Sequence, residues 1–251
     1  MTYDRPYTTN ASKRLPIVFC LDVSPSMGWK IGTNSTNIEM LNAAVQNFVQ
    51  DLKADPKTRA CAEVAFVTFS TNIEMDTEFV SASALQAPLF KPVKEGGTQM
   101  AQAVLRSIEK IENRRRELED AETPYYAPFL VLVTDGNPDE NDDSDLQAKA
   151  LAAVKSHCDS HIGAREIIVP FVIGVGDRIL SKTLQSYSAG FTNGYFPIRG
   201  TADNADIEFN KVFRMIGNST KKSIHLNGKA VEIISTIKTD MAELQAELNG
   251  I

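Results

Sequence analysis

The feature that most restricts this chain is a series of short, mainly apolar runs of strand length, set between stretches of helical periodicity. Leu-Pro-Ile-Val-Phe-Cys-Leu occupies 15–21, Cys-Ala-Glu-Val-Ala-Phe-Val-Thr-Phe-Ser 61–70, Phe-Leu-Val-Leu-Val-Thr 129–134, and a fourth run 167–175. Rich in β-branched and aromatic residues and too short for buried helices, they fit strands covered on both faces. Between them, apolar residues recur with helical spacing at Ile38, Leu41, Ala44, Val45, Phe48, Val49 and Leu52, and again from Thr98 through Met100, Ala101, Val104, Leu105, Ile108 and Ile111. Further helices are expected at 145–156, 179–188 and 206–219, and a last short strand at 194–197. The segment 73–80 alternates in polarity, which suits a half-exposed edge strand. Strands alternating with helices predict an α/β, doubly wound, mostly parallel central sheet flanked by helices, with 15–21 as the central strand and one antiparallel edge strand.

At 251 residues the chain fits one such domain with trimmings. The expected organisation is a polar N-terminal arm at 1–14, the α/β domain at 15–220 and a C-terminal helical extension at 221–251. In the extension, Ile233, Ile234, Ile237, Met241, Leu244 and Leu248 form one apolar stripe. Packing back onto the chain's own domain is the favoured reading of that stripe, and a partner or dimer surface is the other.

Charge narrows the function. A formal net charge of -6 offers no basic field for a phosphate backbone, which excludes nucleic acid as the main partner. Arg114, Arg115 and Arg116 are balanced by Glu117, Glu119 and Asp120 and read as a solvated helix end. The first 14 residues are polar, and no apolar run approaches the length of a membrane span, so a soluble cytoplasmic protein without a membrane span is expected. Three cysteines cannot all pair within one chain; Cys20 and Cys61 lie in or beside apolar runs, which fits a reducing compartment. His157, Cys158 and His161 lie at helical spacing, but a zinc site needs a fourth ligand and the segment reads as an exposed helix end. His225 reads as a surface residue near the tail.

In open α/β sheets ligands bind beyond the carboxyl ends of the strands, where the strand order reverses. Three loops qualify. The first strand runs into Asp22-Val23-Ser24-Pro25-Ser26, a carboxylate and two hydroxyls at alternate positions. Glu95-Gly96-Gly97-Thr98 sets a hydroxyl at a helix start, and the third strand ends in Thr134-Asp135-Gly136. Together Asp22, Ser24, Ser26, Thr98 and Asp135 make an all-oxygen set suited to Mg²⁺ or Mn²⁺, with Ca²⁺ as a third candidate, and unsuited to zinc. Mg²⁺ retains waters readily, which leaves a position for an acidic side chain of a partner. The acidic residues Asp139, Glu140, Asp142, Asp143 and Asp145 lack the spacing of an EF-hand and read as a solvated loop. Trp29, the only tryptophan, is either core or an interface anchor beside the first loop.

These pieces, in this order, resemble the metal-ion-dependent adhesion site of von Willebrand factor A (vWA) domains, and the resemblance runs from about 15 to 219. It implies a Rossmann-like vWA fold in which Ser24, Ser26 and, in the engaged state, Thr98 touch the metal, while Asp22 and Asp135 hold it largely through water. It also implies a protein-interaction module whose metal shell is completed by an Asp or Glu of a partner, with loop and C-terminal helices responding, and no enzyme activity. Within the family, the openings at 15–27 and 133–140 look like those of bacterial TerY-like proteins, which accompany tellurium-resistance and stress-response systems and are linked to a protein kinase and a metal-dependent phosphatase.

Two other classes compete. A haloacid dehalogenase type phosphatase also places an Asp after its first strand with Mg²⁺ beside it, but needs a second Asp two residues on as general acid, where this chain has Ser24. An assembly subunit of a chelatase-like complex can use the same domain, usually beside other domains. Neither Ser24 nor Ser26 lies in a Gly-x-Ser-x-Gly motif, which removes a serine hydrolase.

Overall fold

Side chains of the first strand point alternately into two hydrophobic clusters, and that alternation organises the molecule. In the computed structural model, which describes residues 12–31, 35–136, 144–159, 167–176, 181–199, 204–226 and 230–249, strand β1 is Leu15–Asp22 and every residue in it is buried. Ile17, Phe19 and Leu21 face one cluster, Val18 and Cys20 the other, as the two-residue period of a strand requires. Each face is covered by helices. Helices α1 (Asn37–Ala54), α6 (Ala205–His225) and α7 (Ala230–Asn249) supply the first cluster, and α3 (Met100–Asp120), α4 (Ser144–Cys158) and α5 (Ser181–Ser186) the second. Phe19 lies at the centre of the first cluster, its ring 5.2 Å from Phe48 of α1 and 5.9 Å from Phe213 of α6.

The sheet is mixed. Strands β4 (Ala62–Phe69), β7 (Phe129–Thr134), β8 (Val169–Val175) and β9 (Tyr195–Ile198) join β1 in parallel, in the order β4-β1-β7-β8-β9. The strand expected at the antiparallel edge is two pieces, β5 (Ile73–Asp76) and β6 (Val80–Ser81), both antiparallel to β4. In β5 exposed and half-buried residues alternate, as expected of an edge. A separate antiparallel pair, β2 (Lys30–Ile31) and β3 (Ser35–Thr36), leads into α1. After β1 the chain passes to β4 on one side, then crosses through α3 to β7 on the other. The carboxyl end of β1 is therefore the point where the strand order reverses.

Several elements depart from their sequence-derived bounds for local reasons. Cys61 closes a short helix, α2 (Pro56–Cys61), instead of opening β4. Asp55 caps that helix by accepting from the Thr58 amide at 2.7 Å, and Pro56 occupies its first turn. Helix α3 begins at Met100, two residues after Thr98, and continues through its charged end. There Arg115 is 5% exposed; it donates to Glu112 at 2.6 Å and to the Ile167 carbonyl at 2.8 Å, tying α3 to the approach to β8. The reading of all three arginines as solvated is corrected by this: Arg114 also reaches across to Glu63 of β4. Helix α6 runs without a break through 220, so the boundary expected at 220/221 falls inside a helix.

Helix α7 buries the stripe Ile233, Ile234, Ile237, Met241, Leu244 and Leu248 against the rest of the fold. Gln245 donates to the Tyr195 carbonyl of edge strand β9 at 2.9 Å, and Lys222 of α6 holds Asp240 through both carboxylate oxygens. Of the two readings of the stripe, packing on the chain's own domain is the one observed. Among the described residues no helix is long and apolar enough to cross a membrane.

Candidate metal centre

Asp22 is the last residue of β1, and Ser24 and Pro25 shape the turn that leaves it. Ser24 is extended (φ -58°, ψ 163°), and Pro25 starts a single 3₁₀ turn, Pro25–Gly28, its fixed φ suiting that position. The turn folds Ser26 back over the strand end, so that Ser24 Oγ and Ser26 Oγ stand 3.0 Å apart. Asp22 Oδ1 accepts from the Ser24 amide at 2.7 Å, and Oδ2 from the Thr134 hydroxyl of β7 at 2.6 Å. One residue beyond Thr134, Asp135 Oδ1 accepts from Ser26 Oγ at 2.7 Å. Two strand ends and one turn thus form one hydrogen-bonded unit.

The third loop joins through glycine. Gly96 has φ +150°, a conformation other residues rarely adopt, and a Cβ there would lie 3.0 Å from Thr71 Oγ1. The loop is pinned to the end of β4: the Gly97 amide donates to Thr71 Oγ1 at 2.7 Å and the Gln99 amide to the Ser70 carbonyl at 2.7 Å. Thr98 between them is buried and packs on the Asp135-Gly136 turn, where a Cβ on Gly136 would stand 3.2 Å from the Thr98 hydroxyl oxygen. Thr98 thus sits before the helix rather than in it, with the hydroxyl beside Gly136.

The electrostatics are unbalanced. Asp22 is fully buried, and burial pushes its carboxyl up to about 6; hydrogen bonds from Ser24 and Thr134 oppose the rise, and the charge of Asp135 adds to it. The main influences on Asp22 are burial, the donors Ser24 and Thr134, and the like charge of Asp135. Among the described residues no group of three or more His, Cys, Asp or Glu could hold a metal, so any cation here must rely on hydroxyl oxygens as well as the two carboxylates. That donor set is oxygen alone and fits a hard divalent ion.

The structure adds a residue that the sequence reading missed. Asn37, first residue of α1 and 4% exposed, donates from Nδ2 to Asp135 Oδ2 at 2.7 Å. The signal for its position was legible: Thr36 and Glu39 form a capping box, each side chain bonded to the other's backbone amide, which fixes Asn37 at the helix start.

Residues 17–204 match the family model for the von Willebrand factor type A domain. The chain belongs to the von Willebrand factor type A domain family. Solved structures agree with the architecture. The pilus adhesin SpaC of Lactobacillus rhamnosus GG is 15% identical with a TM-score of 0.56, covering 82% of this chain and 31% of its own. Proximal thread matrix protein 1 of the mussel byssus is 18% identical with a TM-score of 0.53, covering 83% of this chain and 47% of its own. The vWF domain of a type V pili tip protein of Porphyromonas gingivalis is 12% identical with a TM-score of 0.52, covering 87% of this chain and 98% of its own. This vWA chain therefore spans about half of the mussel protein and about a third of the adhesin. Comparison with curated proteins gives no match.

Other candidates of this vWA domain fall away from the centre, with one exception. Trp29 is 52% exposed, which rules out the core reading; its amide donates to the Ser26 carbonyl at 2.8 Å, so its backbone is fixed beside the site. Asp139, Glu140, Asp142, Asp143 and His161 lie outside the described residues, and Asp145 opens α4 in an exposed position. Cys158 is fully buried, not at an exposed helix end, and burial pushes its thiol up to about 12. His225 is exposed as expected, with Nε2 2.8 Å from Asp55 Oδ1.

Proposed function

We propose that this vWA domain is a metal-dependent protein-interaction module and not an enzyme. Asp22, Ser24, Ser26, Thr98 and Asp135 hold one hard divalent cation, Mg²⁺ or Mn²⁺ with Ca²⁺ as a third candidate, and an Asp or Glu of a partner completes its shell. The observation that carries this reading is the convergence of two buried carboxylates on Ser24, Ser26 and Thr134, close enough that the charge of Asp135 raises the Asp22 carboxyl. A cation supplies the missing charge and would polarise an incoming carboxylate. The binding reading is favoured over the phosphatase because both Asp22 oxygens are engaged by donors and the side chain is fully buried, which leaves no exposed nucleophile.

The subgroup resemblance extends the reading to a bacterial, TerY-like role in a cytoplasmic stress or tellurium-resistance system, with a protein kinase and a metal-dependent phosphatase as partners. Three free, buried cysteines are consistent with a reducing compartment. Half-exposed Trp29 beside Ser26 serves as an aromatic anchor for the partner.

Isothermal titration of Mg²⁺, Mn²⁺ and Ca²⁺ into metal-free protein tests the centre. The expected result is one site per chain in the wild type and none in Asp22→Ala; a wild type that takes up no metal at millimolar concentration rules the resident cation out. Partner capture should require metal and be lost in Thr98→Ala without loss of fold, and normal capture by that variant would remove Thr98 from the role given to it.

A further inference from the structure

Asn37 carries an unexplained cost. Its amide is buried, its Nδ2 is committed to Asp135, and its carbonyl oxygen Oδ1 has no hydrogen-bond partner among the described residues. A buried acceptor left unmade costs on the order of 1–3 kcal/mol, and a bound water that donates to it removes that cost. The position narrows the donor. Oδ1 and Nδ2 share one carbon, so an acceptor on this amide lies beside the very carboxylate that closes the Ser26-Asp135 connection. Nothing in the fold requires an asparagine here for helix capping, since Thr36 and Glu39 already cap α1.

We propose that Asn37 is a positioning residue for the candidate cation: Nδ2 orients Asp135, and Oδ1 accepts a hydrogen bond from a water in the cation's shell. This rests on the metal reading of Asp22 and Asp135 given above. The chemistry is complementary, because Mg²⁺ and Mn²⁺ retain waters whose protons the ion makes stronger donors, and an amide oxygen is a neutral acceptor that adds no charge repulsion to Asp135. Partners of this outer kind are worth about 10–100-fold in metal affinity elsewhere.

The test uses Mn²⁺ alone, titrated into the metal-free full chain and followed by calorimetry and by the electron paramagnetic resonance spectrum of the bound ion. Asn37→Leu removes donor and acceptor at similar volume, and Asn37→Ala does so with less apolar bulk should the leucine variant not fold. Both should bind Mn²⁺ at least tenfold more weakly, with an altered zero-field splitting, a signature that a purely structural role would not move. Wild-type affinity and an unchanged spectrum in the leucine or alanine variant overturn this inference alone. Failure of the wild type to bind Mn²⁺ overturns the metal reading and this inference with it.

Discussion

With both carboxylate oxygens hydrogen-bonded and the side chain fully buried, Asp22 titrates near 6 because burial penalises the charged form more than its donors favour it. The folded metal-free protein therefore binds this proton more tightly than the unfolded chain does, whose carboxyl titrates near the ordinary 3.8. Between those two pH values the folded state carries more of the proton, so this group's contribution to stability falls as pH rises through the window and stays low above 6. The full difference is about 3 kcal/mol. Asp22→Asn should thus raise the stability of metal-free protein at pH 7.5 by about 1–3 kcal/mol and abolish the fall between pH 4 and 6 relative to wild type. The amide fits the site: its oxygen can accept from the Ser24 amide, and its nitrogen can donate to Thr134, whose hydroxyl has the Gly136 carbonyl as another acceptor at 3.2 Å. Urea melts of the two proteins in chelator across that range decide it, and an asparagine variant no more stable than wild type at pH 7.5 would sink the argument. Asp55 and Asp76 are held low in the folded state, by Thr58 and His225 in one case and by Lys110 and Arg106 in the other, so they run the opposite way but equally in both proteins. At this scale the convergence of Asp22, Ser24, Ser26 and Asp135 could be anticipated from the sequence because each ends or follows a strand of the sheet. Asn37 could not, because its role depends on a contact 98 residues away and on an acceptor left empty.

Elements were legible where one periodicity dominated and obscure where a cap decided. The stripe of α7 read from spacing is the face it buries, since three to four apolar residues per two turns define a side without any tertiary information. Helix α2 has no such stripe; Asp55 and Pro56 start it, and only those local signals could have separated it from β4. The charged end of α3 misled for another reason. Composition cannot tell which of three adjacent arginines turns inward, and the one that does, Arg115, is set by the helix phase that points it at the Ile167 carbonyl. The docking of α7 gives a measurable consequence. Ile237 is 1% exposed in the cluster that contains Phe19 of β1 and Phe213 of α6, and truncating such a side chain costs about 2–5 kcal/mol. Ile237→Ala should lower stability by that amount in a single cooperative transition. A variant that loses less than about 1 kcal/mol, or melts in two steps, would mean that α7 is an appendage and not part of this core.

Across the whole molecule, the candidate centre joins segments that are far apart in sequence: the ties from Thr134 to Asp22 and from Ser26 to Asp135 span 112 and 109 residues. The unfolded chain has no such assembly, so a cation that binds there binds the folded state alone and stabilises it by mass action, about 2.7 kcal/mol at one hundred times its dissociation constant. For a chain of this length each kcal/mol moves the midpoint by roughly 2–4 °C, so saturating Mg²⁺ should raise Tm by about 5–10 °C in wild type and not at all in Asp22→Asn. The same experiment separates centre from scaffold. Helix α7 is fastened to α6 and β9 through Lys222, Lys211 and Gln245, whereas the proposed metal ligands sit on the ends of β1 and β7 and on the loop before α3. Without a partner's carboxylate the ion has differential contact only with those loops, and a ligand shifts only what it contacts differently in two states. Ile237→Ala should therefore start from a lower Tm yet gain the same increment from Mg²⁺ as the wild type, as independent effects add. A smaller increment in that variant would show that the α6–α7 layer already moves with the metal, placing the switch in the scaffold before any partner arrives.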